Sequence, residues 1–206
     1  MSETMLIKLG ILLVGFTYAG VLPYAVKRSI QHINFDLKKY TLSFLSNKNL
    51  YGKKYVRAYK RLLFGTAILN YLFFWLLSLF YDLGEYERFM QQIDYSFAVL
   101  ALLAFVPHNI YPFKRENLKT NLQRIIHNLL AVIVFLSLPT LVVLFQTAIL
   151  PELWFLGVTG LAIIGGTVLL TAFSVIKTGV NGVTEMLFIN GISIWSIFVT
   201  TLTLVS

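Results

Sequence analysis

Apolar residues run through this chain in long, nearly unbroken windows, not in the alternations that mark a half-buried helix or strand. A helix rises about 1.5 Å per residue and the hydrocarbon core of a bilayer is about 30 Å thick, so roughly 20 apolar residues cross it. Six windows reach that length, at 5–26, 61–82, 93–112, 121–146, 150–175 and 183–205. The pattern predicts an all-α integral membrane protein, a six-helix transmembrane bundle forming one domain over 1–206. The third window is the most interrupted, with Asp94 at one end and Pro107-His108-Asn109 at the other. The fourth contains Pro139, which a lipid-embedded helix tolerates where neighbours satisfy the freed carbonyl, so a kink is admissible there. The first window ends in Lys27-Arg28, not in a small-residue cleavage site, and reads as a retained span instead of a signal peptide.

Composition agrees. Hydrophobic residues make up 57% of the 206 and charged residues 13%, too few to cover a soluble exterior. The mean hydropathy is +0.75. The chain has no cysteine, which excludes disulfides, thiol catalysis and thiolate metal sites.

The net charge of +8 would suggest nucleic acid in a soluble protein. Here the bases cluster between apolar windows and read as topology signals and phospholipid head-group contacts. The stretch 27–61 holds Lys27, Arg28, Lys38, Lys39, Lys48, Lys53, Lys54, Arg57, Lys60 and Arg61. Lys114, Arg115, Lys119, Arg124 and Lys177 fall on the same side, against only Lys8 and Arg88 on the other. Positive residues mark the cytoplasmic side, so these connections are expected inside and both termini outside. The connection 27–60 is more than a linker. Tyr51, Tyr55 and Tyr59 recur every four residues, with bases on the other faces, as in a basic amphipathic segment lying at the interface. Its plainer use is a charged topology anchor, its sharper use a lipid or protein docking surface.

Polar groups inside spans are costly and point to candidate sites. They are His108 in the third window, Arg124, His127 and Asn128 in the fourth, Glu185 and Asn190 in the sixth, and Asn70 in the second. Span parity brings His108, Arg124, His127 and Glu185 to one membrane level. In the plainest reading Glu185 pairs with Arg124 and the histidines bind backbone carbonyls. In a second, Arg124, His127, Asn128, His108 and Glu185 bind a lipid head group, with Arg124 gripping phosphate bidentately. In a third the site is catalytic, with His127 or Glu185 as general base. No His-x-x-x-His or Glu-x-x-His pair exists, so neither a metal nor any other cofactor is expected.

Small residues recur at four-residue spacing, Gly15 with Ala19 and Ala162 with Gly166, which permits close helix packing and, as a second use, self-association. Nucleotide-binding, nucleophile-elbow and zincin motifs are absent, and no span carries a ladder of charges. The halves 1–112 and 113–206 differ in charge and loop length, unlike an inverted-repeat transporter.

Three patches carry a family resemblance: Tyr40-Thr-Leu-Ser-Phe-Leu-Ser46; Phe105-Val-Pro-His108 followed by His127-Asn128-Leu-Leu-Ala131; and Gly182-Val-Thr-Glu185-Met-Leu with Trp195 beyond it. In these the chain resembles the six-span DRAM and Sfk families, and more closely their prokaryotic relatives, the domain-of-unknown-function family nine-nine-eight. It departs from them at Phe44-Leu45, where the family carries an acidic residue, and at Met186, where it carries Arg. The resemblance implies the six-span fold, a prokaryotic cytoplasmic membrane and a mild leaning to lipid processes. The seven-span lipid amidohydrolases fit poorly, because His32, His108 and His127 cannot supply their His-x-x-x-His pair. The expected function is therefore engagement of a lipid head group or a partner membrane subunit. A lipid-modifying hydrolase or transferase stands second, and a small-solute transporter third.

Overall fold

In the computed structural model the described residues are 2–31, 33, 35–46, 48–106 and 118–205, with backbone alone for 22, 48–51 and 118–120. His32, His108 and the other residues of 107–117 lie outside them.

Among the described residues, five helices are long and apolar enough to cross a membrane. They are α1 (Glu3–Gln31), α2 (Lys48–Phe80), α5 (Leu118–Ile149), α6 (Trp154–Thr178) and α7 (Gly182–Val205). The chain is a multi-pass, all-helical membrane protein. The third window is built differently from the other five. A short helix α3 (Tyr86–Asp94) precedes α4 (Ser96–Leu103), which spans 8 residues and is too short by itself for a bilayer. Tyr95 joins them, and α4 ends at Leu103, shortly before Val106-Pro107, where the residue preceding proline is disfavoured in helical backbone. Helix α5 runs unbroken through Pro139, and α1 through Pro23. Helix α2 starts well before its window, and Gly52 interrupts it at φ 77°, a left-handed value that favours glycine.

The helices close into a ring in which each packs on its neighbours in the order α1, α2, α4, α5, α6, α7 and back to α1. Helix α3 leans on α5, α4 and α2. Aromatic side chains fill the centre. Trp195 stacks on Phe74 at 5.7 Å and 21°, and meets Phe73 and Phe145 edge-on at 5.9 and 6.1 Å. Leu77, Leu141 and Ile192, at 0, 0 and 1% exposure, pack around them.

One strongly polar side chain sits in this centre. Gln146 is fully buried, although the fourth window placed it at a span end. With its amide oriented to suit its neighbours, Oε1 accepts from Trp195 Nε1 at 2.7 Å and Nε2 donates to the Leu156 carbonyl at 2.9 Å. Gly160 lies directly against this amide, where a Cβ would collide with it. Gly15 likewise abuts Thr200 and Phe73, which lets α1 and α7 approach closely. By contrast, a Cβ at Gly166 would meet nothing.

At the ring's far end, Thr203 Oγ1 donates to the Val199 carbonyl at 2.8 Å, so Tyr81 donates to Thr203 at 2.7 Å. Tyr81→Phe keeps the ring and removes the bond to Thr203. The expected loss is about 1 kcal/mol, read as a small fall in the thermal midpoint in detergent. A fall as large as that of a core truncation would contradict this assignment.

Candidate functional site

The basic end of the ring is where the polar residues gather, and its central feature is a segment that folds back. After α1 the chain turns at Asp36–Tyr40 and forms a 3₁₀ turn, Leu42–Ser46, packed on α2. Leu42 and Leu45 are buried and so are Ser43 and Ser46. The segment folds inward because its apolar residues interrupt a basic connection and find the bundle's end uncovered. Its polar groups are satisfied locally: Ser43 Oγ bonds Thr41 Oγ1 at 2.8 Å, and Ser46 Oγ donates to the Ser43 carbonyl at 2.6 Å.

The segment is clasped to the start of α7. A helix leaves its first backbone N–H groups without intrahelical partners. Here Gly182 N donates to the Tyr40 carbonyl at 2.8 Å and Val183 N to the Leu37 carbonyl at 3.2 Å. Asn181 caps the same turn: its Oδ1 accepts from Val183 N at 3.0 Å and Thr184 N at 3.1 Å. Thr184 Oγ1 accepts from Asn181 N in return. Glu185 completes the clasp in the opposite direction, its Oε2 accepting from Leu42 N at 2.5 Å. A carboxylate in a helix's first turn is also favoured by the helix dipole. Tyr59 of α2, buried, lies close enough to interact with this carboxylate. Gly182 is required by the fit, since a Cβ would press on the Leu37 side chain and stand 2.9 Å from the Tyr40 carbonyl.

His127 does a comparable job on the other side of the ring. It is 2% exposed, and its Nδ1 lies 2.7 Å from the Val106 carbonyl beyond the end of α4. A neutral ring protonated on Nδ1 donates this bond and ties α5 to the chain leaving α4. Arg124, one turn earlier, is half-buried and makes no ion pair among the described residues. Asn128 is exposed on the outside of α5. Asn70 is buried and donates to the Thr66 carbonyl within α2 at 2.9 Å.

Among the candidate residues, then, Glu185 and His127 each hold a backbone group, and no hydrogen bond joins them to one another. Nor is Glu185 bonded to Arg124 among the described residues; the Leu42 amide holds it instead. Helix α6 stands between α5 and α7 in the ring. The general-base geometry that a lipid-modifying enzyme needs is not assembled between His127 and Glu185. Among the described residues, no cluster of three or more His, Asp or Glu could hold a metal.

The fold-back turn carried a signal in the sequence, an apolar Leu37–Leu45 stretch within a basic connection. Gln146 was visible too, as a strongly polar residue ending the fourth apolar window. Compared with known proteins, the chain matches no family model, no curated protein and no solved structure.

Proposed function

We propose that the chain crosses the bilayer six times, with its basic end in the cytoplasm, both termini outside, and that this end binds anionic lipid head groups. The sixth crossing belongs to the α4 stretch, which occupies the ring position between α2 and α5.

The observation that carries the lipid reading is a division of labour at the basic end. Asp36, Asn181 and Glu185 there each accept from a backbone N–H, while the bases point outward. Lys27, Arg28, Lys38, Lys39, Lys53, Lys54, Arg57, Arg61 and Lys177 are exposed. Along α2, Val56 and Tyr59 face inward against these outward bases, the arrangement of a helix entering the bilayer through its head-group layer. The opposite end is acidic by comparison, with Asp82, Glu85 and Glu87 exposed. Each base near an anionic leaflet contributes about 1 kcal/mol of attraction.

Among the described bases of this end, Lys60 and Arg124 are half-buried; Lys60 lies over the Phe105 ring, which leaves Arg124 as the candidate to meet a phosphate below the surface. Native mass spectrometry from micelles containing phosphatidylglycerol checks this. Arg124→Ala is expected to retain roughly fivefold less anionic lipid than the wild type, the equivalent of about 1 kcal/mol. Equal retention by the two proteins would remove Arg124 from the reading. Enhanced recovery of an oligomer in place of lipid would favour a partner subunit at this end.

A further inference from the structure

The face between α1 and α7 carries a groove of about 560 Å³, within the size range of ligand sites of about 300–1,000 Å³. Pro23, Tyr24 and Lys27 of α1 form one wall and Val183, Met186 and Asn190 of α7 the other, with Leu37 of the clasped turn at the basic end. Each wall is one helical face, since these positions repeat at three- and four-residue intervals. We propose that this groove seats one anionic glycerophospholipid, its phosphate on Lys27 and its ester region against Asn190. The inference deepens the lipid reading above and rests on it.

The polarity of the groove runs in the order that such a lipid requires. The two helices are antiparallel, and Ser196 Oγ donates to the Gly15 carbonyl at 3.3 Å, which sets the levels. Counting outward from that contact, six residues on each helix, places Asn190 level with Val21. Lys27 lies six residues further, about 9 Å, nearer the basic end. Charge therefore comes first and the amide deeper, in the direction in which a glycerophospholipid carries its ester carbonyls. Beside and beyond Asn190 the surface is apolar, with Val21 and Ile194 exposed at 50 and 57%.

Two details favour lipid over a packed helix. Asn190 is exposed and makes no hydrogen bond with any described residue, although it stands on a face directed to hydrocarbon. An amide in that setting is costly unless a partner arrives, and an ester carbonyl accepts from its Nδ2. At the mouth, the positive charge is doubled: Arg28 Nη1 donates to the Tyr24 hydroxyl at 3.3 Å, which holds a second cation beside Lys27. Two adjacent cations would oppose a basic or apolar partner helix and complement a phosphate.

The test is native mass spectrometry of the full chain from micelles holding equal phosphatidylglycerol and phosphatidylcholine, with circular dichroism to verify folding. The wild type is expected to keep a single phosphatidylglycerol in preference to phosphatidylcholine. Lys27→Glu should lower that retention tenfold or more. Asn190→Leu should lower retention of both lipids several-fold while leaving the preference between them intact. Arg61→Glu, outside the groove, should shed only loosely held lipid. Unchanged retention in Lys27→Glu and Asn190→Leu, with the anionic preference kept, would overturn the groove and leave the lipid reading standing. No anionic preference in the wild type would overturn both. A dimer that Asn190→Leu disrupts would give the groove to a second copy and overturn the lipid seat.

Discussion

Trp195→Ala is expected to be the most damaging single substitution in the chain, lowering stability by about 3–5 kcal/mol. Its indole is 1% exposed and makes ring contacts with Phe73 and Phe74 of α2 and Phe145 of α5. These contacts are what fill the middle of the ring. In a bilayer the gain from removing apolar surface from water is largely spent before helices associate, so packing carries more of the load. A void at the centre cannot be filled by lipid, because the six helices of the ring close around it. Truncation also removes the donor to Gln146 Oε1, stranding an amide in an apolar core. Trp195→Phe separates the two effects, since it keeps most of the ring volume and loses only the N–H bond. It is expected to cost much less, about 1–3 kcal/mol. Thermal unfolding followed by circular dichroism in detergent reads both. Equal midpoints for the alanine and phenylalanine variants would show that ring packing is not what holds the centre.

The elements that were legible in advance are those for which membrane physics leaves one solution. An apolar window of 20 or so residues must satisfy its own backbone, and helix α6 accordingly lies close to its predicted window, Trp154–Thr178 against 150–175. The bounds were less legible where polar residues continue a helix past the hydrocarbon. Lys27 and Arg28 fall inside α1, because long basic side chains reach the interface while their stems stay on the helix. Lys53 to Arg61 extend α2 for the same reason. The third window is not a uniform helix over its described residues, because α4 stops at Leu103, shortly before Pro107, and Asp94-Tyr95 sets it off from α3. For the site, span parity put His108, Arg124, His127 and Glu185 at one membrane level; α5 and α7 begin at the same end of the ring, and His108 lies outside the described residues. It could not show what each touches. Glu185 binds a backbone amide 143 residues away, and no local pattern encodes the return of that segment. Only the apolar character of Leu37, Leu42 and Leu45 hinted that the connection would tuck under the bundle.

That return is what makes Glu185 the second residue whose loss should be severe. Glu185→Ala is expected to destabilise the protein by about 2–3 kcal/mol, because it leaves the Leu42 N–H without its charged acceptor in a partly buried place. The damage should be local before it is global. The clasp has a second strand of bonds, from Gly182 and Val183 to the Tyr40 and Leu37 carbonyls, so the turn stays attached but opens more readily. Hydrogen exchange is the sensitive readout: faster exchange at Leu42 and at the 182–183 amides, with the centre around Ile192 unchanged. Glu185→Gln supplies a neutral acceptor of the same reach and should recover most of the protection. If a catalytic or head-group role, not the clasp, were the reason for a carboxylate here, glutamine would fold normally and fail functionally. If alanine left exchange at Leu42 unaltered, the turn would be held by its backbone bonds and apolar contacts alone. The two substitutions together therefore distinguish a residue that ties the connection to α7 from one that acts on something outside the chain.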